Sequence, residues 1–266
     1  SGVISRRGIQ QTPSSLDQVG AFTRTLEDIA LLTDAIGSYD PSDPLSFARP
    51  RPQMVRSARA EAPVQSNIAW FDLPFNSRLD NDARAGLDAL ISGLGPRVER
   101  LPPTPQMTDL VAVQATIHEY EINFHLGRAF ENHWDLISNT VQPVIERARK
   151  ISIAQYEDAL EAKRSYEVSI AEHFTDFDAI LAPCATGEAP RLTTNTTGDP
   201  VFCTLWTLAG LPSISLPLLV GENNLPVGVQ LIGGLEEDDK LLRTAAWLQA
   251  KLMGHANSPE PYYLPL

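Results

Sequence analysis

Polar and apolar positions alternate along this chain in two different rhythms, and the rhythm changes sort it into elements. The periodic run Leu26, Ile29, Ala30, Leu32, Thr33 and Ile36 repeats at helical spacing. Thr25 with Asp28 three residues on has the form of a capping box, and Gly37 is the expected C-cap in the left-handed conformation. Residues 40 to 63 carry Pro41, Pro44, Pro50, Pro52 and Pro63 among polar side chains, which predicts an irregular loop crossing a surface. A strand is expected over Asn67 to Asp72, a helix over Asp82 to Leu94 with Ala83, Leu87, Leu90 and Ile91 on one side, and a second strand over Pro96 to Leu101. Strand, helix, strand is the mark of a parallel or mixed sheet covered by helices.

From Thr108 to Phe174 the pattern is helical, with a break expected around Asn139 to Pro143. Ser152 and Gln155 form a second capping box at the start of a long helix through Tyr156, Ala159, Leu160, Tyr166 and Ile170. This layer is polar over much of its surface and belongs outside the sheet. Strands return at Ala179 to Ala182, Ser213 to Leu218 and Val227 to Ile232. The last two are continuous apolar runs, which predicts burial on both faces. Asp238 to Met253 closes the pattern as a helix, and the whole reads as one α/β domain over residues 1–266.

Composition narrows the function classes. The 266 residues are 43% hydrophobic and 20% charged, an ordinary globular balance, with a net charge of −12 that argues against nucleic acid as a partner. No apolar run is long enough to span a bilayer and no charged-then-apolar leader opens the chain, so the expected compartment is the cytoplasm, without membrane contact. The two cysteines, Cys184 and Cys203, are too few for a disulfide framework or a zinc site, and each reads first as a packed thiol. For Cys203 the alternative is a place in the wall of a ligand pocket. The five histidines form no metal pattern; His118 and His125, seven apart, share a helix face. No metal and no cofactor are expected.

Several ordered segments carry more than periodicity. The chain opens Ser1-Gly2-Val3-Ile4-Ser5-Arg6-Arg7-Gly8-Ile9, followed by Ser14-Ser15-Leu16-Asp17-Gln18-Val19-Gly20, and the first helix ends in Gly37-Ser38-Tyr39-Asp40-Pro41-Ser42-Asp43-Pro44. Later come Phe177 to Pro183 with Ala189-Pro190, then Phe202 to Pro217 around Gly210-Leu211-Pro212, then Leu225 to Gly233. In order and spacing these resemble the amidase signature family from residue 1 to about residue 252, with Ala21 where that family usually has proline.

The resemblance implies an α/β fold with a mixed, largely parallel central sheet covered by helices, incomplete at its N-terminal side. It also implies amide C–N bond hydrolysis by a Ser-Ser-Lys triad. That triad belongs to a Gly-Ser-rich stretch upstream of the opening segment, so no catalytic residue is assigned in this chain. Lys150, Lys163, Lys240 and Lys251 read as solvated surface lysines. The chain alone is therefore expected to be inactive, to leave a strand edge or apolar face uncovered, and to self-associate.

The residues expected to meet a small-molecule amide are Arg164, Phe202, Cys203 and Trp206. Arg164 is either a carboxylate clamp or a surface arginine paired with Glu161 or Glu167. Phe202, Cys203 and Trp206 are expected near the surface of a buried loop entering a central strand, with plugging of the core as the rival reading. Asp17 either closes an Asx-turn on its own backbone or orients the neighbouring catalytic loop. Asp199, a few residues before the Gly-Leu-Pro turn, is displaced from the acid that ammonia-transferring relatives use, which ranks a glutamine-dependent amidotransferase of A type below an amidase. A noncatalytic amidase-like scaffold is the other class left open. A self-contained Ser-His-Asp hydrolase is set aside, because the chain has no G-x-S-x-G elbow.

Overall fold

The computed structural model describes residues 2–61, 64–194 and 196–253. In chain order the elements are α1 (Leu26–Ile36), α2 (Met54–Arg59), β1 (Ile68–Phe71), α3 (Asn81–Leu94), β2 (Val98–Leu101), α4 (Leu110–Asn132), α5 (Gln142–Ala148), α6 (Ile153–Glu172), β3 (Ala179–Pro183), α7 (Val201–Leu208), β4 (Ser213–Val220), β5 (Pro226–Ile232) and α8 (Asp238–Met253). The strands form one five-stranded sheet in the order β2-β1-β3-β5-β4. β1 pairs in parallel with β2 and β3, whereas β5 runs antiparallel to both β3 and β4. Four strands thus share a direction and β5 opposes them, the mixed and mostly parallel sheet expected. β1 and β3 are buried along their whole length, as strands covered on both faces must be.

Local chemistry explains the helix starts. The Thr25 hydroxyl accepts from the Asp28 N–H at 3.0 Å, and Ser152 makes the full reciprocal box with Gln155. α4 and α6 pack side by side, with the Tyr120 and Tyr156 rings stacked 4.2 Å apart. Between them the buried Glu121 carboxylate accepts the Tyr156 hydroxyl at 2.6 Å and the Ser15 N–H at 2.9 Å, which ties the N-terminal segment to the helical layer. Burial, and then that bond to Glu121, pushes the Tyr156 phenol well above its ordinary value.

Four expectations are corrected. The proline-rich stretch is not wholly irregular, because α2 forms inside it. Its N-terminus is capped from a distance by the Asp34 carboxylate, which accepts from Met54 N at 2.9 Å and Val55 N at 3.0 Å, so no local cap betrays it. Gly37 is not left-handed but has φ −72°. A side chain is excluded there by contact, since a Cβ would lie 2.7 Å from the Thr33 carbonyl oxygen, where the segment at Ile4 bridges to Gly37. The helical break falls between Asn132 and Gln142, earlier than expected.

The fourth correction matters most for function. β5 is largely buried, but β4 is exposed at Ser213, Ser215, Pro217 and Val220. It is the last strand of its side, with no further strand beyond it among the described residues. Pro217 removes one donor from that edge, and the β4–β5 register shifts between Leu216 and Leu219. An apolar run signals contact with something apolar, and for β4 much of that surface faces a groove.

Candidate functional site

The groove has a volume of about 1240 Å³ and lies between the N-terminal segment with α1 on one side and α7, β4 and the start of α8 on the other. Its floor is built by Cys184, Cys203, Trp206, Ser215, Leu216 and Gln230.

The Phe202 to Pro217 segment, expected as a loop into a central strand, is instead helix α7, a turn and edge strand β4. The Asp199 carboxylate accepts from Val201 N at 3.0 Å and starts the helix. Its end is a Schellman turn, in which Gly210 N donates to Thr207 O at 3.1 Å and Leu211 N to Trp206 O at 3.1 Å. Gly210 there has φ 65°, a conformation that favours glycine.

Helical spacing separates the three residues that a loop would have lined up. Cys203, Trp206 and Thr207 share the face toward the groove. Phe202 points into the core, fully buried, with its ring 5.3 Å from that of Phe75. Trp206 is nearly fully buried, and its indole N–H has no partner among the described residues. Cys203 is exposed, so the packed-thiol expectation does not hold for it.

The two thiols meet at the floor. Cys203 Sγ donates to the Cys184 carbonyl oxygen at 3.6 Å, and Cys184 Sγ lies 2.9 Å from Ser215 Oγ. Gly228 behind them makes room, because a Cβ there would fall 2.9 Å from Ser215 Oγ and 3.0 Å from Cys184 Sγ. Burial pushes the Cys184 thiol up to about 12, against the opposing bond to Ser215, and burial also raises Cys203. Both are neutral at physiological pH and are poor nucleophiles.

Gln230 lies in the Leu225 to Gly233 segment, with no role expected of it there, and it holds the floor together. Its side-chain NH₂ donates to Pro183 O at 2.6 Å and Phe202 O at 2.8 Å, joining the end of β3 and the start of α7 to β5 while itself buried. The sequence does carry a signal for it: Gln230 is the one polar side chain inside the apolar run Val227 to Ile232.

The remaining expected residues lie apart from the floor. Arg164 is exposed on α6 and pairs with Glu161 at 2.5 Å, the surface alternative given for it. Asp199 pairs with Arg78 at 2.9 Å and does not line the groove. Asp17 does line it, but its carboxylate reaches back to the Thr12 N–H at 3.2 Å and hydroxyl at 2.6 Å, closing the turn before it instead of the one after. Lys163 and Lys240 are in ion pairs with Glu167 and with Asp178 and Glu237, respectively. Among the described residues no lysine or histidine lines the groove, and no group of three His, Cys, Asp or Glu side chains is placed to hold a metal ion. Among them, too, no helix is long and apolar enough to cross a membrane.

The segment that forms the groove's outer wall is held by a clamp between two of the ordered sequence segments, the opening one and the Asp-Pro-rich one after α1. The buried Asp43 carboxylate accepts from Arg6 N at 2.8 Å, Leu45 N at 3.0 Å and the Arg6 guanidinium at 3.2 Å, while Arg6 also donates to Ser14 O at 2.6 Å. Burial raises the Asp43 carboxyl, but these donors outweigh it and hold the group below the ordinary carboxylate value. A carboxyl lowered on folding stabilises above its unfolded value and loses that contribution as pH falls through about 4 and below. Asp43→Asn is accordingly expected to cost about 2 kcal/mol at pH 7, the scale of bonds to a charged group, and less at pH 3, where part of the ionic contribution is lost. Urea denaturation at the two pH values measures this, and an equal cost at both would refute the ionic clamp.

Comparison with known proteins agrees with this architecture. A sequence model of the family described as Amidase matches residues 1–242. The chain is 27% identical over 295 residues to the A-type subunit of glutamyl-tRNA(Gln) amidotransferase from Picosynechococcus sp. (strain ATCC 27264 / PCC 7002 / PR-6), and 28% identical over 293 residues to its counterpart from Neisseria gonorrhoeae (strain NCCP11945). Each match takes in 97% of this chain and 60% of the relative, so the chain spans about three fifths of the length of these proteins. Among solved structures, the corresponding glutamyl-tRNA(Gln) amidotransferase chain from Thermotoga maritima superposes with a TM-score of 0.72 at 25% identity, over 97% of this chain and 56% of that one. A structure described as a vestigial protein complex that reveals the origins of an s-triazine catabolic enzyme gives 0.84 at 24% identity, over 97% and 58%.

Proposed function

The chain belongs to the amidase signature family, and on that premise we propose that it forms the substrate-facing part of an amide C–N bond hydrolase. The observation that carries this reading is the groove between the N-terminal segment and α7 with β4, a concave, mostly apolar space with a few polar atoms on its floor. Cys203, Trp206 and Ser215 would lie along the acyl side of a bound amide, and Asp17 would hold the wall opposite. The nucleophile and its base are supplied by a segment other than those lining the groove here, because a hydroxyl needs a base within reach to attack an amide. Self-association belongs to the same proposal, with the free edge of β4 as the surface that pairs.

A glutamine-dependent amidotransferase of A type is the second reading, favoured by the curated relatives. It ranks lower, since Asp199 is spent on Arg78 and on capping α7, away from the groove.

Size selectivity tests the groove assignment. With the chain complemented by the nucleophile-bearing segment of a related amidase, Cys203→Trp fills the floor and is expected to cut kcat/KM for bulky acyl amides about 100-fold while sparing acetamide, the range that steric exclusion from an apolar pocket gives. Equal losses on small and bulky amides, at unchanged melting temperature, would remove the groove from the active site.

A further inference from the structure

We infer that the groove selects amides whose acyl part is uncharged and apolar and rejects those carrying a carboxylate. This rests on the reading of the groove as the amide site and names its substrate class. Every side chain of the floor is neutral. The Cys184 and Cys203 thiols stay protonated, Ser215 contributes a hydroxyl, Trp206 contributes apolar surface and one neutral indole N–H donor, and Leu216 contributes apolar surface. Gln230 has both amide hydrogens committed to the Pro183 and Phe202 carbonyl oxygens and has none to give an anion.

A carboxylate seated there would give up water for no donor of opposite charge, and a buried unpaired charge is the costliest thing a pocket can hold. The charged residues lining the groove are Asp17, Arg24 and Asp238. Two of these repel an anion. Arg24 is exposed on the loop before α1, where solvent and salt weaken its pull. Arg164, for which a carboxylate clamp is one of two sequence readings, is exposed on α6 and is bound to Glu161. The net charge of −12 adds a long-range field that lowers the local concentration of anions.

The test compares two ligands of one shape, 4-methylbenzamide and 4-carbamoylbenzoate, titrated calorimetrically into the purified chain. The neutral amide is expected to bind at least about tenfold more tightly, the difference that a small imbalance in desolvation already produces. Cys203→Lys, a cation introduced at an exposed floor position, is expected to reverse that order. Ser215→Lys places the same charge from β4 should the first variant fail to fold. Equal or tighter binding of the carboxylate by the wild type, or an order that neither lysine variant moves, overturns the inference. Cys203→Trp separates this from failure of the amidase reading. Binding lost in that variant keeps the groove as the amide site whatever its charge preference, and binding that persists in it places the ligand elsewhere and sinks both.

Discussion

The purified chain is expected to hydrolyse aryl amides no faster than buffer does, and to gain turnover only when a polypeptide carrying a nucleophile and its base is supplied. Hydroxyls are present at the groove on Ser213 and Ser215, but among the described residues no lysine or histidine lines it to activate them. Ser215 Oγ meets the Cys184 thiol, which is neutral and cannot take a proton at physiological pH. The carboxylate nearest in kind, Asp17, is occupied by two donors of Thr12. Removing the working parts of a serine hydrolase site costs about a millionfold in kcat, which leaves only the slow background that binding and oriented dipoles provide. The measurement is release of 4-nitroaniline by the chain alone and by the chain mixed with the upstream segment of a related amidase. Steady turnover by the chain alone that disappears in Ser215→Ala would show a self-sufficient site on β4 and contradict the need for a second segment.

The sheet and most helices were legible because their patterns are local. The apolar run Ile68 to Phe71, the cap at Thr25 and the box at Ser152 state in a few residues what the fold then does. What stayed hidden depends on partners distant in sequence. α2 takes its cap from Asp34, twenty residues before Met54. Gly37 reads as a left-handed cap until the Thr33 carbonyl and the segment at Val3 and Ile4 are seen pressing against it. β4 looks like a central strand because apolarity is the same whether a helix or a groove lies opposite.

The site shows the same limit. Cys203 lines the groove, but Phe202 falls beside it only if the segment is a loop, and the helical rotation of α7 sends these consecutive side chains to opposite environments. Arg164 carried its own answer in Glu161, three residues back on the same helix face. Gln230 carried one too, since a polar side chain in a buried strand must have partners or it would not be tolerated there.

Gln230 therefore makes the sharpest stability test. Replacing it by leucine keeps the volume roughly but leaves the Pro183 and Phe202 carbonyl oxygens without this donor in a buried place, at an expected cost of about 2–4 kcal/mol. Replacing it by glutamate should be worse near neutral pH, because a carboxylate has no hydrogen to offer and faces two carbonyl oxygens directly. Burial beside those oxygens raises the introduced carboxyl above its unfolded value of about 4.3. A group raised on folding favours the native state when protonated, so the penalty of Gln230→Glu should shrink as pH falls through that raised value, while that of Gln230→Leu stays flat. Urea denaturation of both variants at pH 7.5 and pH 5 reads the difference directly. The same loosening of α7 from the end of β3 should open the floor, so the Cys203 thiol should react faster with a maleimide in both variants than in the wild type. A Gln230→Glu protein within about 1 kcal/mol of wild type at pH 7.5, with Cys203 no more reactive, would mean that the floor is held by packing alone and that the two donated hydrogen bonds do not set its shape.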